Sequence, residues 1–199
     1  MNRRARTALV LANGAQRLVE LRISSRNRAT LGRAEQASPS TYPAMVAAHV
    51  ALFVVCVWPR PARRVPHVVE IGALAGLAAA TILRLWVIRT LGTSWNVTAH
   101  VSPNMHIETD GPYRWIRHPN YVAVVLEFAC LPLAVGAVPE AAALSIANAL
   151  VLVPRIRAEE ALLDALPGYR DAFAGVPRFI PSLGRRSVRP RPGRASPEA

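Results

Sequence analysis

The chain has 199 residues, 52% of them hydrophobic and 18% charged, with a mean hydropathy of +0.22; this excludes disorder as its main state and leaves room for one domain or a small bundle of membrane helices. A net charge of +12 would ordinarily raise nucleic acid as a partner, but the apolar residues fall in long runs that such a partner does not explain, and none is expected. Lysine is absent, which removes Schiff-base chemistry and P-loop phosphate binding from consideration.

Apolar segments fall at about 7–23, 43–58, 68–88, 121–139 and 141–154. Arg3, Arg4 and Arg6 precede the first as in a signal peptide, but Arg17, Glu20 and the lack of a small-residue cleavage site predict that it is retained. Those charges also leave open whether it spans a membrane or lies in the interface as an amphipathic helix. Segment 68–88 has the length for a hydrocarbon core of about 30 Å, and Gly72 and Gly76 with nearby alanines form a close-packing face. Segments 121–139 and 141–154, parted around Pro139 and Glu140, read as a helical hairpin with Pro132 kinking its first arm. Cys56 and Cys130 sit in apolar stretches as buried bystanders. From about 185 the Arg/Pro-rich end, with little apolar to bury, is expected to be disordered.

If all five segments cross, the 24–42 and 89–120 connections and everything after 154 share one side, with sixteen arginines there against six opposite. The positive-inside rule makes that side cytoplasmic. The expected fold is therefore an all-α integral membrane protein of about five hydrophobic helices. It forms one domain over 1–184, followed by a 185–199 tail.

Two clusters carry functional residue types. DGPYRWIRHPNY at 110–121 stands ahead of an apolar helix, with Gly111-Pro112 as a turn signal, Pro119 in the first helical turn and His118 near the N-cap. A helix start suits an anionic group, and Tyr113, Trp115 and Tyr121 offer faces to a ring or a sulfonium; taken alone, the cluster reads as an interfacial aromatic and arginine belt ahead of a site. RIRAEE at 155–160 sets Arg155 and Glu159 on one helix face, either as a solvated ion pair or as part of a site. Glu127, inside the fourth segment, is a candidate base or a partner for Arg155 or Arg84; Arg84, near its helix end, is expected to snorkel. His49 and His67 read as packing or interfacial residues, and no spacing suggests a metal site.

RHPNY at 117–121, preceded by Gly111 and Tyr113 and followed by a hydrophobic hairpin, RIRAEE and PRFIP at 177–181, resembles the isoprenylcysteine carboxyl methyltransferase family over about 89–181. AQRLVEL at 15–21, Ser25-Arg-Asn27, YPAM at 42–45 with His49, and LGTSWN at 91–96 are most similar to its bacterial branch that O-methylates long-chain alkylpyrones and alkylresorcinols from type III polyketide synthases. The resemblance implies S-adenosylmethionine as cofactor, without a Rossmann domain, in a cytoplasmic-face pocket built by the 89–120 loop and the C-terminal helix. It implies cofactor contacts from Met105, His106, Ile107, Glu108, Tyr113, His118, Pro119, Asn120, Tyr121 and Glu159, with Arg155 facing the acceptor. The chain departs from the family at Ala123, where glycine is usual, and at Glu108, where an apolar residue is usual. The partners implied are a lipid-like acceptor and membrane lipids. An isoprenylcysteine-like carboxylate acceptor and a non-catalytic scaffold are the alternatives.

Overall fold

The side chain of Asn2 accepts a hydrogen bond from the Ala5 N–H at 2.9 Å and starts the first helix, α1, Arg3–Arg28. The fold is taken from a computed structural model that describes residues 1–29, 35–36, 39–58, 65–98, 100–101 and 105–182. The tail expected to be disordered lies outside the described residues. Four more long helices follow: α2, Tyr42–Val57; α3, His67–Leu91; α4, Pro119–Ala134; and α5, Val138–Asp164; a short α6 covers Tyr169–Ala172. The five segments read from hydropathy are thus five helices. Two-residue strands β1, Glu35–Gln36, and β2, His100–Val101, pair antiparallel and are the one departure from an all-helical chain among the described residues.

Two boundaries differ from expectation. The α4–α5 hairpin turns at 135–137, not at Pro139 and Glu140: Gly136 takes φ +81° and the Ala137 N–H returns to the Pro132 carbonyl at 2.8 Å. Pro139 instead sits in the first turn of α5, where its missing N–H leaves no bond unmade, and Pro132 lies in the last turn of α4. The second difference is at the far end of α5, which runs ten residues past 154. Pro154 is tolerated inside it and strong helix formers follow, so RIRAEE belongs to the same rod as the apolar segment.

α3 and α5 are long and apolar enough to cross a membrane; α2 and α4, apolar but 16 residues each, are about 24 Å long. Val50, Val54, Ile82, Ile146 and Leu150 point outward.

α1 is turned inside out by comparison with a helix of a water-soluble protein. Asn13, Glu20, Ser24 and Asn27 are buried along one seam and Leu11, Leu18 and Leu21 are exposed, the arrangement favoured where the surroundings are apolar. At the centre of that seam lies a neutral quartet. Arg17 pairs with Glu20 and with Glu127, while Arg84 approaches Glu20 at 3.6 Å and Glu127 at 3.5 Å and donates to Asn120 at 3.1 Å. Arg84 is therefore buried in the bundle and does not snorkel.

α3 and α4 form the most extensive helix pair. A Cβ at Gly76 would lie 2.5 Å from the Cys130 sulfur, whereas one at Gly72 would meet nothing within 4 Å, so half of the expected small-residue face makes the close contact. Gly76→Ala is expected to destabilise by about 1–3 kcal/mol through overpacking, read as a lower thermal midpoint in detergent. Gly72→Ala should be neutral, and Cys130→Ala should restore most of the Gly76→Ala loss. Both cysteines are free and half-buried against the core.

Hydrogen bonds show which loops meet. Ser24 Oγ donates to Asn96 Oδ1 at 2.6 Å, Asn27 donates to the carbonyls of Gly92 and Trp95 at 3.1 and 2.7 Å, and Arg155 donates to the Val97 carbonyl at 2.8 Å. The end of α1, the loop after α3 and the last turns of α5 therefore share one end of the bundle.

Candidate active site

The site begins where the chain turns into α4. Gly111 has φ +58°, and a side chain there would collide with Thr90 and Trp86, so glycine is required on both counts. The single helical turn Gly111–Arg114 follows, and His118 occupies the N-cap with Pro119 first in the helix, as the motif predicts. His118 makes no capping bond; its Nε2 lies 3.0 Å from Glu160 on α5 and its ring is 4% exposed. The backbone N–H groups of Arg117 and His118 donate to the carbonyls of Pro177 and Arg178 at 2.9 and 3.0 Å. Arg178 in turn forks onto Glu160 at 2.8 and 2.7 Å. The PRFIP stretch is thus a strap across the start of α4.

One turn further along α4, the Tyr121 hydroxyl donates to Glu159 and accepts from Arg155 Nε at 3.2 Å. Among the described residues Arg155 and Glu159 form no direct ion pair; the phenol joins them. Arg155 is 2% exposed, so the solvated-pair reading of RIRAEE does not hold for it. Two of its nitrogens are satisfied and the third, Nη1, is buried without a partner.

These groups border a cavity of about 140 Å³. Met105, His106, Ile107, Glu108, Tyr113, His118, Pro119, Asn120, Tyr121, Arg155 and Glu159 all line it. Glu127 does not: it stands among the guanidiniums of Arg17 and Arg84, with the expected partner Arg84 but not with Arg155. Ala123 is fully buried in α4 away from the lining, so that departure from the family pattern leaves the cavity wall unchanged. Glu108 does border the cavity and accepts from the Asp110 N–H at 2.9 Å.

The expected contacts did not include every wall. Trp95, Thr98, Arg117, Tyr169 and Phe173 also line the cavity. Trp95 stands in LGTSWN, and Tyr169 follows Pro167-Gly168, a turn in which Gly168 adopts φ +80°; a turn signal delivering an aromatic back toward RIRAEE was the available clue. Burial, with the Glu159 carboxylate second, holds the Tyr113 phenol well above its ordinary value. Burial likewise pushes Tyr169 up to about 12. Both present neutral rings at physiological pH. A smaller cavity of about 30 Å³ adjoins the first inside the bundle and shares Trp95, Val97, Asn120, Tyr121 and Arg155 with it.

Residues 73–165 match the isoprenylcysteine carboxyl methyltransferase family. The chain is 31% identical over 152 residues to the uncharacterized protein YpbQ of Bacillus subtilis, a match that covers 75% of this chain and 90% of that one. The chain belongs to the isoprenylcysteine carboxyl methyltransferase family. It is also 31% identical over 119 residues to the cobalt-zinc-cadmium resistance protein CzcN of Cupriavidus metallidurans, covering 59% of this chain and 51% of that protein. Members of the isoprenylcysteine carboxyl methyltransferase family are membrane-embedded methyltransferases that use S-adenosylmethionine, and that is the reaction class of this chain. Among the described residues no group of three His, Cys, Asp or Glu is arranged to hold a metal.

The cavity's chemistry fits this cofactor. Trp95 Nε1 and Arg117 Nε are buried donors without partners, both on lining residues, which suits a ligand rich in acceptor atoms. The Glu159 carboxylate and the tyrosine rings suit its ammonium and sulfonium. The strap bears on this fit through His118. Because the Arg178 side chain is more than half exposed, its fork to Glu160 contributes about 1 kcal/mol at most. Arg178→Ala is accordingly expected to raise the KM for S-adenosylmethionine about fivefold and to leave kcat within about twofold, checked by steady-state methyl transfer.

Proposed function

We propose that this chain O-methylates a lipid-like acceptor, the hydroxyl of a long-chain alkylpyrone or alkylresorcinol, in a bacterial inner membrane with its cavity facing the cytoplasm. The observation that carries the reading is Arg155: a buried guanidinium with one uncommitted nitrogen, on the wall common to the two cavities. Such a donor is matched to an oxyanion. The arginine count supports this orientation, since the cavity lies at the end of the bundle where the 24–42 and 89–120 connections and the end of α5 meet.

S-adenosylmethionine, when bound, supplies a methyl group already activated on a sulfonium. The protein must hold an oxygen nucleophile in line and exclude water. Glu159 holds the cofactor's ammonium, with Tyr121 keeping the carboxylate in place. Tyr113 and Tyr169 offer neutral aromatic faces to the sulfonium, and Asn120, His118, Pro119 and residues 105–108 complete the wall. Arg155 orients the acceptor oxygen from the bundle side. Glu127, neutralised by two guanidiniums, fastens α1 to the catalytic core.

The reading is tested with membranes containing the protein, labelled S-adenosylmethionine and an added long-chain alkylpyrone or alkylresorcinol. Label is expected in the added lipid, as a product stable to mild base when the acceptor is the resorcinol, and none with His118→Ala. Label found only in a base-labile ester would move the acceptor to a carboxylate. Absence of label despite cofactor binding would reject both acceptors.

A further inference from the structure

The smaller cavity holds a feature that neither methyl-donor binding nor helix packing uses. At about 30 Å³ it exceeds the about 10–15 Å³ that one water needs, and so admits a hydroxyl. Its charged and polar walls come from all five long helices: Arg17 on α1, His49 on α2, Arg84 on α3, Asn120 and Tyr121 on α4, Asn148 and Arg155 on α5. Most of these are committed. Arg17 and Arg84 face Glu20 and Glu127, Asn120 accepts from Arg84, and Tyr121 donates to Glu159. His49 is different. Its Nδ1 lies 2.8 Å from the Met45 carbonyl, an acceptor only, so that nitrogen carries the hydrogen. In the neutral ring Nε2 then holds a lone pair, and it has no partner among the described residues. The ring is set edge-on against Phe128, with centroids 5.0 Å apart, which fixes its plane.

We infer that His49 Nε2 is the general base that takes the proton of a neutral phenolic hydroxyl held in the smaller cavity beside Arg155. The inference rests on the acceptor reading above and deepens it. Arginines cannot accept a proton and Tyr121 has already given its hydrogen to a carboxylate, so His49 is the one described side chain lining this cavity that can. In the step, the acceptor oxygen gives its proton to Nε2 and an electron pair to the methyl carbon. The carbon–sulfur pair returns to the donor's sulfur, and the imidazolium later releases its proton to solvent. A phenol with a pKa near about 10 needs this help; a 4-hydroxy-2-pyrone, ionised near neutral pH, does not.

The two acceptors therefore control for each other. His49→Gln, in the full chain at pH 7, is expected to lower kcat/KM for an alkylresorcinol by about a hundredfold and for an alkylpyrone by less than about threefold. His49→Asn should give the same split. With His49→Gln the resorcinol rate should keep climbing with pH, while the wild-type rate levels off. Labelled alkylresorcinol should be retained equally by wild type and His49→Gln in the absence of a methyl donor. Equal losses on both acceptors, loss of lipid retention, or no loss on the resorcinol would each overturn the role of His49. A wild-type chain that binds S-adenosylmethionine but methylates neither lipid would overturn the acceptor reading, and the role of His49 with it, before any variant is made.

Discussion

Arg155→Met is expected to lower methyl transfer by about a thousandfold while changing S-adenosylmethionine affinity by less than about tenfold. The side chain is 2% exposed and anchored at two points, the Val97 carbonyl at 2.8 Å and the Tyr121 hydroxyl at 3.2 Å, which leaves Nη1 pre-aimed with no partner of its own. Removing a preorganised donor from a water-excluded site costs about a hundred- to a thousandfold in rate, and here the anchor on Tyr121 goes as well. Methionine fills much of the same volume without a buried charge, so the loss should appear in kcat and not in the thermal midpoint. Arg155→Lys should rescue little, because an ammonium cannot reach both anchors and present a third donor in one plane. Steady-state transfer of labelled methyl, with donor affinity measured separately by calorimetry, distinguishes these outcomes.

The second large effect belongs to Glu159. Glu159→Gln keeps a hydrogen-bond acceptor for Tyr121 and removes only the charge that would face the cofactor's ammonium. A hydrogen bond between charged groups in a half-buried setting contributes about 1.5–3 kcal/mol, so donor affinity should weaken about a hundredfold with the fold intact. Glu160→Gln is the internal control. Its carboxylate faces His118 and Arg178, and its loss should weaken binding no more than about tenfold. Equal effects from the two variants would mean that neither carboxylate meets the cofactor directly.

The helices were legible in the sequence because each of the four apolar ones is a nearly unbroken apolar run, and the helix start at 118–119 because proline and the preceding turn chemistry mark it locally. α1 resisted reading. Its polar residues at 13, 17, 20, 24 and 27 follow helical spacing but face inward, so a scale that expects polar residues outside gives the wrong face. Its length and its role in holding the 92–97 loop depend on partners about 70 residues away. The site residues carried by contiguous motifs line the cavity, whereas Trp95, Tyr169 and Phe173 reach it through loop paths that no periodicity describes. Glu127 and Arg84 show the same limit from the other side. The sequence offered Arg84 or Arg155 as the partner of Glu127, but only the ion pairs that join α1 to α3 and α4 show that it is Arg84 and bring in Arg17 with Glu20.

Amide hydrogen exchange on the full chain in detergent, with and without S-adenosylmethionine, tests most directly whether the larger cavity is the methyl-donor site. Slowed exchange is expected, confined to 92–98, 105–121 and 155–173, and in Glu159→Gln only at about a hundredfold higher cofactor concentration. No protection at saturating cofactor, or protection centred on α1 and α2 away from these segments, would contradict it.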